Sequence, residues 1–267
     1  LNESINKYLL PSQLDQFSNT EKIVVLDVCM GMGYNSGCIL EELLKRDKKI
    51  EWHGLEIDHR PLKIGLNEKA FQKLWSPKVL NFFYCLNKSG KWNEVFNEGT
   101  IHWGDARQKI HEIKNSLRFD IIVLDPFSPQ KCPELWSEQF ISLLSEKLSF
   151  DGRLITYSSA ASIRKSLKKA GLRIYSIRPV VGDQRKWSMG TVAMKKQLDK
   201  KLISKNCQLK NLSAMELEHL GTRSSIPYRD PTGKGVSKEI ILTREIEQSK
   251  SQLINTSSWR KRWNAAQ

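Results

Sequence analysis

Val24-Val25-Leu26-Asp27-Val28-Cys29-Met30-Gly31-Met32-Gly33-Tyr34-Asn35 is the stretch from which the fold is read. Its first half is short, apolar and β-branched, which suits a buried parallel strand rather than a helix. Gly31 and Gly33 then let the backbone turn tightly, with no Cβ to keep a ligand away from the main chain. Asn35 and Ser36 offer helix-capping chemistry for a run from Gly37 to Lys45. The free N–H groups of that helix start would face whatever lies on the turn. An ordinary strand–helix corner has the same pattern, so a ligand reading needs support from elsewhere.

Support comes from the strands that follow. Residues 50–56 read as the next strand and end in Glu56, and Pro61 fits the first turn of a helix running to about Leu74. An acid at the end of the second strand of a β–α–β unit is placed to grip ribose hydroxyls; the alternative is that Glu56 and Asp58 cap the next helix. Residues 76–99 hold Phe82, Phe83, Tyr84, Trp92 and Phe96, read as one or two short helices with their rings in the core. A third strand, Thr100 to Trp103, is closed by Gly104-Asp105-Ala106. A fourth, Phe119 to Leu124, is apolar enough to be central and delivers Asp125 to its tip, followed by Pro126-Phe127-Ser128-Pro129. Glu134 to Lys147 reads as a helix, Gly152 to Tyr157 as a fifth strand, and Ala160 to Ala170 as a helix ended by Gly171. Two last strands, 172–181 and 190–194, are too close in sequence to be parallel and form a hairpin. Before all this, residues 2–16 form an arm with near-helical spacing of Tyr8, Leu9, Leu10 and Leu14, interrupted by Pro11.

The chain has 267 residues, 39% of them hydrophobic, and carries a net charge of +14. That is enough for one large α/β domain, and the charge suits nucleic acid, acidic lipid or a phosphorylated substrate. No apolar run reaches membrane-spanning length. The five cysteines form no C-x-x-C pair and the histidines lack ligand spacing, which predicts reduced thiols, a cytoplasmic location and no metal. Residues 195–267 hold 15 Lys and Arg against 7 Asp and Glu. Their tip, Trp259-Arg260-Lys261-Arg262-Trp263, interleaves rings and cations in a way that suits phosphate contact with stacking; the alternative is a solvated tail.

Four acids in or after four successive strands (Asp27, Glu56, Asp105, Asp125), with the Gly31/Gly33 turn and a terminal hairpin, resemble the class I S-adenosylmethionine-dependent methyltransferases. A dinucleotide fold would want a third glycine where Ser36 stands. The block Leu124 to Pro129 followed by Cys132-Pro133-Glu134-Leu135-Trp136 resembles the MnmC-type tRNA methyltransferases more specifically. Residues 31–35, 104–106 and 156–160, the loop with Arg185 and Lys186, and Ile226 to Pro231 extend that resemblance. Cys29 departs from it, standing where class I enzymes usually carry a glycine.

The resemblance implies a Rossmann-like α/β fold with a seven-stranded, mostly parallel sheet and an antiparallel terminal hairpin. It divides the chain into an arm (1–20), a methyltransferase domain (21–196) and a basic extension (197–267) packed on it. It implies S-adenosyl-L-methionine as cofactor and, as no second glycine-rich turn is present to hold FAD, the stand-alone form. The expected substrate is the aminomethyl group on the wobble uridine of tRNA, methylated to 5-methylaminomethyl-(2-thio)uridine. That reaction would be coupled to the enzymes installing the aminomethyl group, with no membrane partner. Asp125 is the expected catalytic group. Asp27, Gly31, Met32, Gly33, Asn35, Glu56, Asp105 and Ala106 would line the cofactor, with Asp27 bracing the turn. Phe127, Arg185, Lys186 and Arg229 would face tRNA. Two rivals remain open at this stage: a methyl- or aminopropyl-transferase acting on a small amine, and a tRNA-binding module with a vestigial pocket.

Overall fold

Lys22–Val28 forms β1, central because both its neighbours are parallel strands: β2, Lys49–Glu56, on one side and β5, Phe119–Leu124, on the other. The computed structural model describes residues 1–180, 187–198, 203 and 208–264. The chain divides into two units, Leu1–Asp125 with Lys147–Ile155, and Pro126–Glu146 with Thr156–Gln267.

In the first unit β2 also pairs in parallel with β4, Asn97–Trp103, whose other edge carries an antiparallel β3, Lys91–Asn93. With β6, Leu148–Thr156, the order is β3-β4-β2-β1-β5-β6. The register aligns the strand ends: Val28 lies level with Leu55 and Leu124, and Glu56 with Trp103. Asp125, Glu56 and the Gly31/Gly33 turn therefore leave the sheet at one rim. Ile23, Val25, Leu26, Ile121, Ile122 and Val123 are buried, as double-sided strands require.

The helices of this unit are α1, Tyr34–Lys45, α2, Arg60–Asn67, α3, Pro77–Ser89, and the single turn α4, Ala106–Lys109. The helix expected from Pro61 to Leu74 breaks at Glu68, which is extended, and resumes at Lys69–Gln72. The aromatic insertion contains α3 as expected, but also β3. Trp92 of that strand lies flat on Phe82, with ring centroids 4.7 Å apart. It also covers Gly99, where a Cβ would fall 2.2 Å from the indole. Phe82, Phe83 and Trp92 are core residues, whereas Tyr84 and Phe96 are exposed.

Pro11 does not interrupt the arm. Helix runs through residues 2–12, with a wider π turn at Ile5–Leu9 in which Leu10 N–H bonds Ile5 O. Proline has no N–H to give and its ring crowds the carbonyl four residues back, so a widened turn just before it relieves the conflict. Gln13, in the left-handed conformation at φ 52°, ends the helix.

The second unit holds β7, Arg173–Ile177, antiparallel to both β8, Gly190–Met194, and β9, Leu209–Lys210. The hairpin is as expected. The strands number nine among the described residues rather than seven. The two unforeseen strands, β3 and β9, are edge pieces of three and two residues, too short to show an alternation. Helix α5, Glu138–Lys147, starts later than expected because Pro133–Trp136 is a 3₁₀ turn. Ser137 then caps α5, its Oγ accepting from Phe140 N, while its backbone bridges to Tyr228. Helix α6, Ala161–Lys169, ends at Gly171, φ 83°, and Leu172 N bonds back to Leu167 O. The basic segment folds into α7, Ala214–His219, opened by a Ser213–Glu216 capping box, then α8, Ser237–Lys250, and α9, Thr256–Trp263.

At the heart of this unit Arg164 and Glu216, both fully buried, form an ion pair of 2.8 Å. Arg164 also donates to Thr191, Ser176, Ser188 and Gly190 O, so the desolvated guanidinium is well satisfied. Among the described residues no helix is long and apolar enough to cross a membrane.

Candidate active site

The turn after β1 is built on left-handed backbone: Cys29 at φ 65°, Gly31 at 58° and Gly33 at 90°. The cysteine thus takes up a conformation that glycine adopts freely. The two glycines serve different ends. A Cβ on Gly33 would lie 3.0 Å from Met30 and 3.1 Å from Phe83, so packing demands that glycine. A Cβ on Gly31 would meet nothing within 4 Å, so the space over that residue is open to a ligand. Met32 lies over Gly65 of α2, which has room for its methyl because it lacks a side chain.

Gly33, not Asn35 or Ser36, stands at the N-cap of α1, and no side chain caps it. The two polar residues do other work. Ser36 Oγ donates to Asp27 at 2.6 Å and accepts from Trp52 Nε1 at 2.8 Å. Asn35 Nδ2 donates to Asp125 Oδ2 at 2.7 Å. Asp27 is fully buried behind the turn, with its second oxygen unpartnered, which is the place of a brace. Burial pushes Asp27 up to about 7, with Asp125 and Glu56 adding to the effect and the Ser36 hydroxyl opposing it.

Glu56 accepts at one oxygen from Gly31 N (2.8 Å) and at the other from Ile57 N and Asp58 N. It does not cap α2, whose N-cap is His59; Asp58 accepts from Arg60 N just ahead of that helix. Glu56 therefore shapes the glycine turn and, with two oxygens at the rim, retains acceptor capacity for a diol. Asp105 caps α4 through Arg107 N and pairs with the Arg107 guanidinium, and Ala106 begins that turn, buried.

Asp125 sits just past β5 with both oxygens held. Tyr8 Oη donates to Oδ1 and Asn35 to Oδ2. Burial raises its affinity for a proton, and these two hydrogen bonds oppose the rise. Tyr8 is the residue that reading along the chain misses: it lies 117 positions away, and its only sign was a hydroxyl within an apolar run.

In the second unit, Pro126 O accepts from Tyr157 Oη (2.9 Å) and Phe127 O accepts from Trp136 Nε1 (2.7 Å). Trp136 and Tyr157 meet edge to face. These contacts fix the loop that follows Asp125 and leave the Phe127 ring 77% exposed. Arg229 is paired with both Glu138 and Glu247. Trp259 is buried against His219, Arg262 pairs with Glu218, and Trp263 Nε1 donates to the same Glu218. Much of the tip is thus engaged internally, while Arg260 and Lys261 stay exposed. Arg185 and Lys186 lie outside the described residues. Among the described residues no group of three or more His, Cys, Asp or Glu is placed to hold a metal.

Residues 71–195 match a family described as S-adenosyl-L-methionine-dependent methyltransferase. The chain is 27% identical to MNMC2 from Aquifex aeolicus, whose crystal structure superposes with a TM-score of 0.76 over 93% of this chain and 75% of that one. This chain carries an S-adenosyl-L-methionine-dependent methyltransferase domain related to MnmC. It is 28% identical over 190 residues to the tRNA 5-methylaminomethyl-2-thiouridine biosynthesis bifunctional protein MnmC of Leptospira borgpetersenii. That match takes in 68% of this chain but 28% of the bifunctional protein. An uncharacterized protein of Methanocaldococcus jannaschii is 30% identical over 257 residues, 94% of this chain and 65% of its own length. The chain thus spans less than two thirds of either of these relatives.

Proposed function

We propose that the MnmC-related domain methylates the nitrogen of an aminomethyl group on the wobble uridine of tRNA. The observation that carries this reading is Asp125, a half-buried carboxylate at a strand tip, hydrogen-bonded to the first turn of the helix that opens at Gly33. The names of the relatives supply the substrate class, and the net charge of +14 is compatible with tRNA.

Gly31 and Glu56 would hold S-adenosyl-L-methionine at the turn and at the ribose, with Asp105 and Ala106 toward the adenine. When bound, this cofactor supplies a methyl group on a sulfonium. An amine attacks only when neutral. Asp125 would accept a hydrogen bond from the substrate nitrogen, orient its lone pair and take up its proton. Burial suits it to this, since a carboxylate with a raised proton affinity is the better base. Its negative charge also favours the positive charge that grows on nitrogen. The fixed carbonyls of Pro126 and Phe127 leave the exposed Phe127 ring free to stack on a base.

The test is transfer of labelled methyl from S-adenosyl-L-methionine to tRNA from cells lacking the protein, followed by nucleoside mass spectrometry. Conversion of aminomethyl- to methylaminomethyl-uridine is expected. Label on a different nucleoside, or only on small amines, refutes the reading.

A further inference from the structure

We propose that Tyr8 is the positioning residue of the site: with Asn35 it fixes both oxygens of Asp125 and so aims that carboxylate at the substrate amine. The inference rests on the reading of Asp125 as the base that takes the amine's proton. The geometry is two-sided. Tyr8 Oη donates to Oδ1 from the arm, 117 residues away, and Asn35 Nδ2 to Oδ2 from α1. The two donors leave the carboxylate no freedom to rotate about its last bond. Tyr8 itself is buried, 2% exposed, so its hydroxyl is held as firmly as the acid. The arm is secured at its other end by Phe17, buried under the Arg153 guanidinium, and by Gln13, whose Oε1 accepts from Arg153 at 3.0 Å. A sequence segment remote from the strand tips thereby completes the site.

The arrangement also has an electrostatic side. The charged and titratable groups facing Asp125 are Glu3, Lys7 and Tyr8 of the arm and Asp27 of β1. Asp125 raises the proton affinity of Asp27, while Glu3 opposes ionisation of Asp125 and Lys7 favours it. Tyr8 favours it more than any of these, because it donates directly to the carboxylate. Removing the hydroxyl should let burial prevail and raise the acid's proton affinity.

The test is Tyr8→Phe, which keeps the ring. The acid limb of the kcat/KM profile for methyl transfer to tRNA should move up by about one pH unit, a roughly tenfold loss at a fixed pH on that limb. Activity should recover toward wild type above it. Carbon-13 carboxyl resonances of labelled Asp, with Asp125 assigned by its absence in Asp125→Asn, should show the same displacement without any substrate. An even loss at every pH, or an Asp125 resonance that titrates where wild type does, overturns the proposal. If Asp125→Asn keeps its turnover, it is the base reading that fails. The resonance then still decides whether Tyr8 sets the state of this carboxyl.

Discussion

Two regions of this molecule hold charge in opposite ways. In the second unit Arg164 meets Glu216 and four further acceptors, and Arg229 meets two glutamates. These charges neutralise one another. At the rim of the first unit, Asp27, Glu56 and Asp125 are held by neutral donors: a hydroxyl, main-chain N–H groups, an amide and a phenol. Such acids keep part of their acceptor capacity. Closed pairs build a fold, and acids held open by neutral donors are available for chemistry.

The sharpest way to break that contrast is Asp125→Asn, isosteric and still able to accept at one atom. We expect kcat for tRNA methylation to fall about 10²–10⁴-fold, the usual range for a general base, with a normal unfolding curve. Turnover near wild type would place the acid among structural groups. Arg164→Met should do the reverse. It strands a buried Glu216 and should cost about 3–5 kcal/mol in urea unfolding, with much of the loss restored in the Arg164→Met/Glu216→Leu double variant. Glu56→Gln should weaken S-adenosyl-L-methionine binding about 10–100-fold by calorimetry, the scale of a hydrogen bond to a charged group. Unchanged affinity would remove Glu56 from the cofactor site.

Asp27 gives a pH-dependent test. Its folded-state value of about 7 lies above that of an unfolded aspartate, about 3.9. The native state therefore binds the extra proton between these values. The contribution of this acid to stability is full below about pH 4 and is lost as pH rises through about 7. Relative to Asp27→Asn, the wild type should lose unfolding free energy between about pH 4 and about pH 7; a constant difference would show that Asp27 does not titrate as argued. The smallest effect belongs to Arg229→Ala. Partly exposed and screened, its pairs should be worth no more than about 1 kcal/mol, and tRNA affinity should hardly change. A large drop in tRNA affinity would place Arg229 at the interface.

The parallel strands, the glycine turn and the terminal hairpin were legible because each rests on local pattern: β-branched runs, Gly31 and Gly33, and a gap too short for a crossover. The tip acids were legible because a strand's end fixes where its next residue goes. What escaped depended on distance. Asn35 and Ser36 fit capping chemistry locally, yet the acids 90 and 9 positions away claim them. Pro11 reads as a helix stop unless the π turn before it is known. The tip aromatics looked like a stacking platform, but Trp259 had a histidine to cover.

The widened turn at Ile5–Leu9 carries one residue more per revolution than its α-helical flanks. Deleting a single residue between Tyr8 and Gln13 would let the coil tighten to ordinary pitch, so that residues before the turn keep their place on the helix while Tyr8, inside it, moves around the axis by about 100°. The phenol would then point elsewhere with no side chain altered. In this arm the count of residues matters as well as their identity.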